Sequence, residues 1–188
     1  MLFGTPSKLP DGRYFLKVSQ DDQSRVMHQV NNVILAPSEQ DSSVTVQQIT
    51  QTALFSEIDD QIVTQAKASK QAWFGKDLSD ETVVSAYQKS LSADNELFAS
   101  FVTIKGKNVS TFYDAQKNML ETVQAHVPVD VLLELTGLMF TKRVFEPVWK
   151  VVQARRKAPP PKQKFPREYL FTDDPTSAVE EEDDEPDL

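Results

Sequence analysis

The first fifty residues alternate between apolar and polar positions. After a Pro10-Asp11-Gly12 turn, segments 13–19, 26–36 and 43–49 are rich in β-branched and aromatic residues and predict three strands. The period then changes. Leu54, Phe55, Ile58, Ile62, Val63 and Ala66 recur at helical spacing up to Gln71, with Ser56, Glu57 and Asp59 in the early turns where a helix favours acids. Gly75, in the run Trp73-Phe74-Gly75-Lys76, suits a left-handed C-cap, and Ser79, Asp80 and Glu81 open a second short helix running through Tyr87 and Leu91.

The alternation then returns. Segments 96–104 and 109–114, separated by a short stretch with Gly106 and Asn108, read as a hairpin, while 118–127 suits a short helix or an irregular strand. Segments 129–135, 137–145 and 147–156 predict three more strands, with Gly137 as a break and Glu146-Pro147 as a turn or bulge. Strands interrupted by one helical segment predict a mostly β fold with a helical insertion at about 54–91 (α+β). The leading candidate is an OB-like antiparallel barrel over 1–157. At 158–188 the pattern stops: Pro159, Pro160 and Pro161 favour an extended linker, and the acidic remainder has too little apolar surface to offset its ordering entropy, so a disordered tail is expected.

Charge changes the picture once it is divided along the chain. The net charge is -8, yet nine of the 28 acids lie after Phe171 with no base among them, leaving 19 acids against 20 bases in the rest. A polyanion partner for the body is therefore compatible with the low overall pI. The absence of cysteine removes disulfides, thiolate metal sites and cysteine nucleophiles, and fits a reducing compartment. No apolar run has the length of a membrane span, and the N-terminus lacks the apolar run of a signal peptide, so a soluble intracellular protein with no membrane association is expected.

Catalytic chemistry finds little support. His28 and His126 stand far apart with no neighbouring ligand at metal spacing, and read as surface or structural histidines. The two Gly-Lys pairs, Gly75-Lys76 and Gly106-Lys107, lack the earlier glycine and the final Ser or Thr of a phosphate-binding loop. The pairs Asp21-Asp22 and Asp59-Asp60 read as solubility features before magnesium ligands. No enzyme activity, cofactor or metal is expected.

Binding chemistry is better represented. Lys142, Arg143, Lys150, Arg155, Arg156 and Lys157 crowd the last strands among Phe140, Phe145 and Trp149, offering cations for phosphates and rings for unpaired bases. Core packing is the favoured role of Phe140 and Phe145, while Trp149 suits core and stacking equally. A second patch around the hairpin comprises Lys105, Lys107, Phe112, Tyr113 and Lys117, with a plain exposed turn as the alternative. The tail residues Glu180, Glu181, Glu182, Asp183, Asp184, Glu185, Asp187 and Leu188 form an anionic segment able to mimic nucleic acid and to be offered to partner proteins, or simply to maintain solubility.

Two motif blocks carry a resemblance. Trp73, Phe74, Gly75 and Lys76, followed by Gly137, Leu138, Phe140, Phe145, Trp149, Lys150, Val151 and Gln153, resemble an OB-fold-like family encoded by large nucleocytoplasmic DNA viruses, over about half the chain between 72 and 156. The layout is also similar to phage single-strand-binding proteins, in which a barrel precedes an acidic tail, although those tails commonly end in an aromatic residue and this one in Leu188. The resemblance implies a sequence-tolerant single-stranded DNA-binding protein of viral replication or repair, with RNA as a further ligand, replication proteins as tail partners and no catalytic residues. The location implied is the host cytoplasm or nucleus at replication sites, or the virion. Alternatives are a virion or scaffold component using the barrel for protein contacts, and a transcription accessory factor. Self-association stays open.

Overall fold

The computed structural model describes residues 1–122 and 125–157. The chain divides into two units, Met1–Ala158 and Pro159–Leu188, and the expected linker and tail at 158–188 lie outside the described residues. In order, the elements are β1 (Leu2–Phe3), β2 (Ser7–Lys8), β3 (Tyr14–Ser19), β4 (Val26–Pro37), β5 (Ser43–Gln47), α1 (Thr52–Ala68), α2 (Lys70–Phe74), α3 (Asp80–Ala86), β6 (Leu97–Phe101), β7 (Thr103–Ile104), β8 (Lys107–Asn108), β9 (Thr111–Tyr113), β10 (Met119–Leu120), β11 (Pro128–Phe140) and β12 (Phe145–Arg156).

Five strands close a barrel. β11 pairs with β4, β4 with β5, β5 with β6, β6 with β12, and β12 returns to β11. Only the β6–β12 contact in this ring is parallel. Numbered by chain order, the strands run 1-2-3-5-4-1 around the ring, which is OB connectivity. β3 extends the sheet beyond β11, and β9 and β10 extend it beyond β12. The helices enter between the second and third barrel strands. On α1, Phe55, Ile58, Asp59, Ile62 and Ala66 form one buried stripe, and Phe55 meets the core indole of Trp149 edge-on at 5.4 Å. α2 ends at Gly75, whose φ of 69° is the left-handed conformation expected there.

Three local expectations are corrected and one open choice is resolved. The second helix stops at Ala86, because Tyr87 turns extended and bridges to Phe145, with the Gln88 N–H donating to the Phe145 carbonyl at 2.9 Å. The long hairpin is absent: β6 and β9 both run parallel to β12, beside Trp149–Val151 and Gln153–Arg155, and only the small β7–β8 ribbon lies between them. Segment 118–127 contributes the two-residue strand β10, with 123–124 outside the described residues. The last three expected strands are two. Gly137 lies inside β11, where a Cβ would stand 2.1 Å from the Leu16 carbonyl oxygen and 2.4 Å from the Phe15 ring. Missing side-chain volume here allows a close strand approach and not a break. Pro147 lies within β12, beside the irregularity between Leu135 and Gly137 where the ladder is already interrupted, and the chain reverses at 141–144 instead.

A carboxylate fixes another irregularity. Between Val129 and Val131 the β4–β11 register shifts, and Asp130 accepts the N–H of Asn32, whose φ is 58°. Arg155 donates to the same carboxylate at 2.9 Å, and Lys157 lies 3.2 Å away. Burial acts to raise the Asp130 pKa, but the hydrogen bonds from Arg155, the Asn32 amide and Lys157 outweigh it and hold the group below its ordinary value.

Two outcomes follow from these positions. Gly137→Ala should destabilise the fold by about 3 kcal/mol or more, seen as a lowered Tm in circular dichroism, because the added methyl meets backbone and not a movable side-chain end. Asp130→Asn should cost about 1–3 kcal/mol in urea unfolding at pH 7. A depressed carboxylate pKa stabilises the fold above the unfolded value and loses that effect as pH falls, so the gap to wild type should close below pH 3.8.

Candidate nucleic-acid interface

The most prominent sequence candidate, Trp149, faces inward. It is 2% exposed, and its indole N–H donates to the Ser90 hydroxyl at 3.2 Å. Ser90 in turn donates through Oγ to Asp59 at 2.6 Å, the Ser90 backbone N–H adds a bond to that carboxylate, and the Tyr87 hydroxyl donates to it at 2.8 Å. Burial first, then the neighbouring Asp59 charge and hydrogen bond, push the Tyr87 pKa far up, so the phenol remains a donor. A ring tied this way has no free face for a base. Its stacking role is therefore corrected to core packing, and the same holds for Phe112, 5% exposed and edge-on to Phe101. Phe140 and Phe145 are core, as expected, and Trp73 is buried beside them. His28 packs against Trp149 at 6.1 Å, and burial lowers its pKa.

The candidate cations do not form one stripe. Lys142 and Arg143 are exposed in the 141–144 turn. Lys105 and Lys107 are exposed on the β7–β8 ribbon. Lys150 points outward from β12, opposite Glu134 of β11 and beside Ser100 of β6. Arg155 is held by Asp130 and lines a shallow cleft of about 300 Å³ with Tyr113 and Lys117, while half-buried Arg156 ends β12. Strand pleating explains the dispersal, since neighbours in sequence face opposite sides and the irregularities in the β11–β12 ladder reset which side is outward.

Three of these groups nevertheless rim one surface. On the outer face of β5 and β6, Thr45 pairs with Phe98, and Ser43 pairs with Ser100. Phe98 is 69% exposed although Leu97, Ala99 and Phe101 of the same strand are buried. Lys150 flanks this face from β12, the 141–144 turn precedes β12 beyond the start of β6, and the ribbon with Lys105 and Lys107 leaves from the end of β6. Phe98 was missed among the candidates. Its signal lay in the strand alternation itself, because a ring one residue from Leu97 must occupy the opposite, polar face. Strands two and three, with the loop between strands four and five, form the face on which OB barrels take oligonucleotides. Among the described residues no group of three His, Asp or Glu side chains is placed to hold a metal, and no helix is long and apolar enough to cross a membrane.

With this geometry, comparison with known proteins gives the following. No curated protein sequence matches the chain. Among solved structures, the single-stranded DNA-binding protein from bacteriophage Enc34 is similar at a TM-score of 0.45 and 15% identity, over 88% of this chain and 97% of that one. The same phage protein in complex with ssDNA gives a TM-score of 0.44 at 15% identity, over 81% and 94% of the two chains. A sequence-family model matches residues 31–173, from within β4 through β12 and including the helical insertion, and the chain belongs to that family of unknown function, DUF5871.

Proposed function

We propose that this protein binds single-stranded nucleic acid, DNA foremost, in a sequence-tolerant manner and without catalysis, across the outer face of β5 and β6. The observation that carries the reading is Phe98, a ring 69% exposed on the third strand of an OB barrel. An exposed aromatic on an otherwise polar sheet face loses apolar hydration when a base covers it, and any base offers a suitable flat surface. Thr45 and Ser100 beside it can donate to or accept from base edges and sugars. Lys150, Lys142, Arg143, Lys105 and Lys107 supply cations along the path of a phosphate backbone.

Within this proposal the protein serves replication or repair of a DNA virus, at the site where that replication occurs in the host cell. The nine acids after Phe171 then act as an internal polyanion that competes with nucleic acid and is released to replication partners when a strand binds. Before that point 20 bases stand against 19 acids, so the chain's net negative charge is concentrated in its last residues.

Fluorescence anisotropy with labelled oligo(dT) tests both parts. Phe98→Ala should weaken binding by about 10- to 100-fold, in line with a stacking contribution of about 1–3 kcal/mol. Unchanged affinity would remove the β5–β6 face from the account. Affinity should fall steeply as salt is raised, because phosphate contacts release counterions. A chain ending at Phe171 should bind more tightly than the full chain at low salt; equal or weaker binding would refute the tail's competition while leaving the barrel's binding intact.

A further inference from the structure

A second surface adjoins the 141–144 turn, lined by residues of elements other than β5 and β6. A cleft of about 600 Å³ lies between α2, the N-terminal strands and the β11–β12 turn, walled by Trp73, Phe74 and Tyr14 and edged by Lys76, Lys142 and Arg143. It joins the two motif blocks that stood apart in the sequence. Its floor is a ring cluster: Trp73 and Phe74 each meet Phe140 edge-on, at 5.9 and 5.8 Å, and Phe140 stacks on Phe145 at 5.4 Å. Trp73 is buried in that cluster and Phe74 half-buried. Tyr14, by contrast, is 45% exposed.

Charge selects the occupant. Among the described residues no Asp or Glu lines the cleft; of Asp77, Asp80 and Glu81, which follow Lys76, Asp80 is engaged by Lys70 at 2.6 Å. Three cations around an aromatic-walled space suit a ligand with a flat apolar part and a negative part joined to it. The turn bearing Lys142 and Arg143 also bounds the β5–β6 face, so a strand leaving that face over the turn meets the cleft next. We infer that the cleft is a nucleotide subsite that accepts one unstacked base of the bound strand against Tyr14 and Phe74, with the adjoining phosphates on Lys76, Lys142 and Arg143. This rests on the single-strand-binding reading above and extends it to a path longer than the barrel face.

Tyr14 and Lys76 are exposed and stand outside the β5–β6 face, so the Tyr14→Ala/Lys76→Ala variant separates the two surfaces. Anisotropy with oligo(dT) of about six and about twenty nucleotides should show wild-type affinity for the short strand and at least about a fivefold loss for the long one. Equal affinities of variant and wild type at both lengths, or an equal loss at both, would overturn the subsite. In the wild-type full chain, 5-iodouridine placed along the long strand should photocrosslink to Tyr14 or Phe74; crosslinks confined to Phe98 and its neighbours would also overturn it. If a synthetic peptide of residues 180–188 binds wild type but not the variant, with oligonucleotide affinities unchanged, the cleft belongs to an acidic peptide and the proposal fails. Failure of wild type to bind either strand would instead refute the nucleic-acid reading itself, and the subsite with it.

Discussion

The buried carboxylate of Asp59 holds the architecture together. At 8% exposure it accepts from Tyr87 and from both the amide and the hydroxyl of Ser90, and Ser90 in turn accepts from the Trp149 indole. Three parts of the chain distant in sequence, the α1 helix, the segment after α3 and the last barrel strand, thereby share one polar point inside an apolar core. Such a charge is tolerated only where its hydrogen bonds are made, so the helical insertion cannot shift on the barrel without leaving a carboxylate unpaired. The start of β12 and the end of the 141–144 turn are positioned by this constraint, because Tyr87 and Gln88 also contact Phe145.

From that anchoring follows the separation of roles among the aromatic side chains. Trp149 is barrel core, with Phe55 of α1 and half-buried His28 packed against it, while Trp73, Phe74, Phe140 and Phe145 pack where the helices meet the β11–β12 turn. Phe98 alone among the phenylalanines and tryptophans is largely exposed within the described residues. The packed rings set the geometry of the barrel and of its junction with the helices. Ser110 extends the same logic at the other end, donating to the Val151 carbonyl at 2.6 Å and so fixing where the lysine-bearing ribbon leaves the barrel.

Much of this was legible from periodicity. The early strands, the α1 stripe, the Gly75 cap and the barrel class follow from local pattern, because each depends on neighbours within a few residues. Three features escaped. The end of α3 is set by a bridge to Phe145, a contact across nearly sixty positions that no local propensity encodes. Gly137 looked like a break because its purpose, close approach to Leu16 and Phe15, is visible only once β3 is placed against β11. The candidate site misled in a particular way: aromatic residues interleaved with cations in sequence face opposite sides of a strand, so Trp149 and Lys150 cannot both reach one ligand. Phe98 was the readable alternative, an apolar residue out of phase with its strand.

In the proposed binding mode a single strand lies on the outer face of β5 and β6 and passes the 141–144 turn. Backbone amide hydrogen exchange of the full chain, with and without saturating oligo(dT), tests it most directly because it locates contact without altering any residue. Slowed exchange concentrated in β5, β6 and the 141–144 turn is expected. Binding accompanied by unchanged exchange in those segments, with protection elsewhere on the barrel, would contradict it.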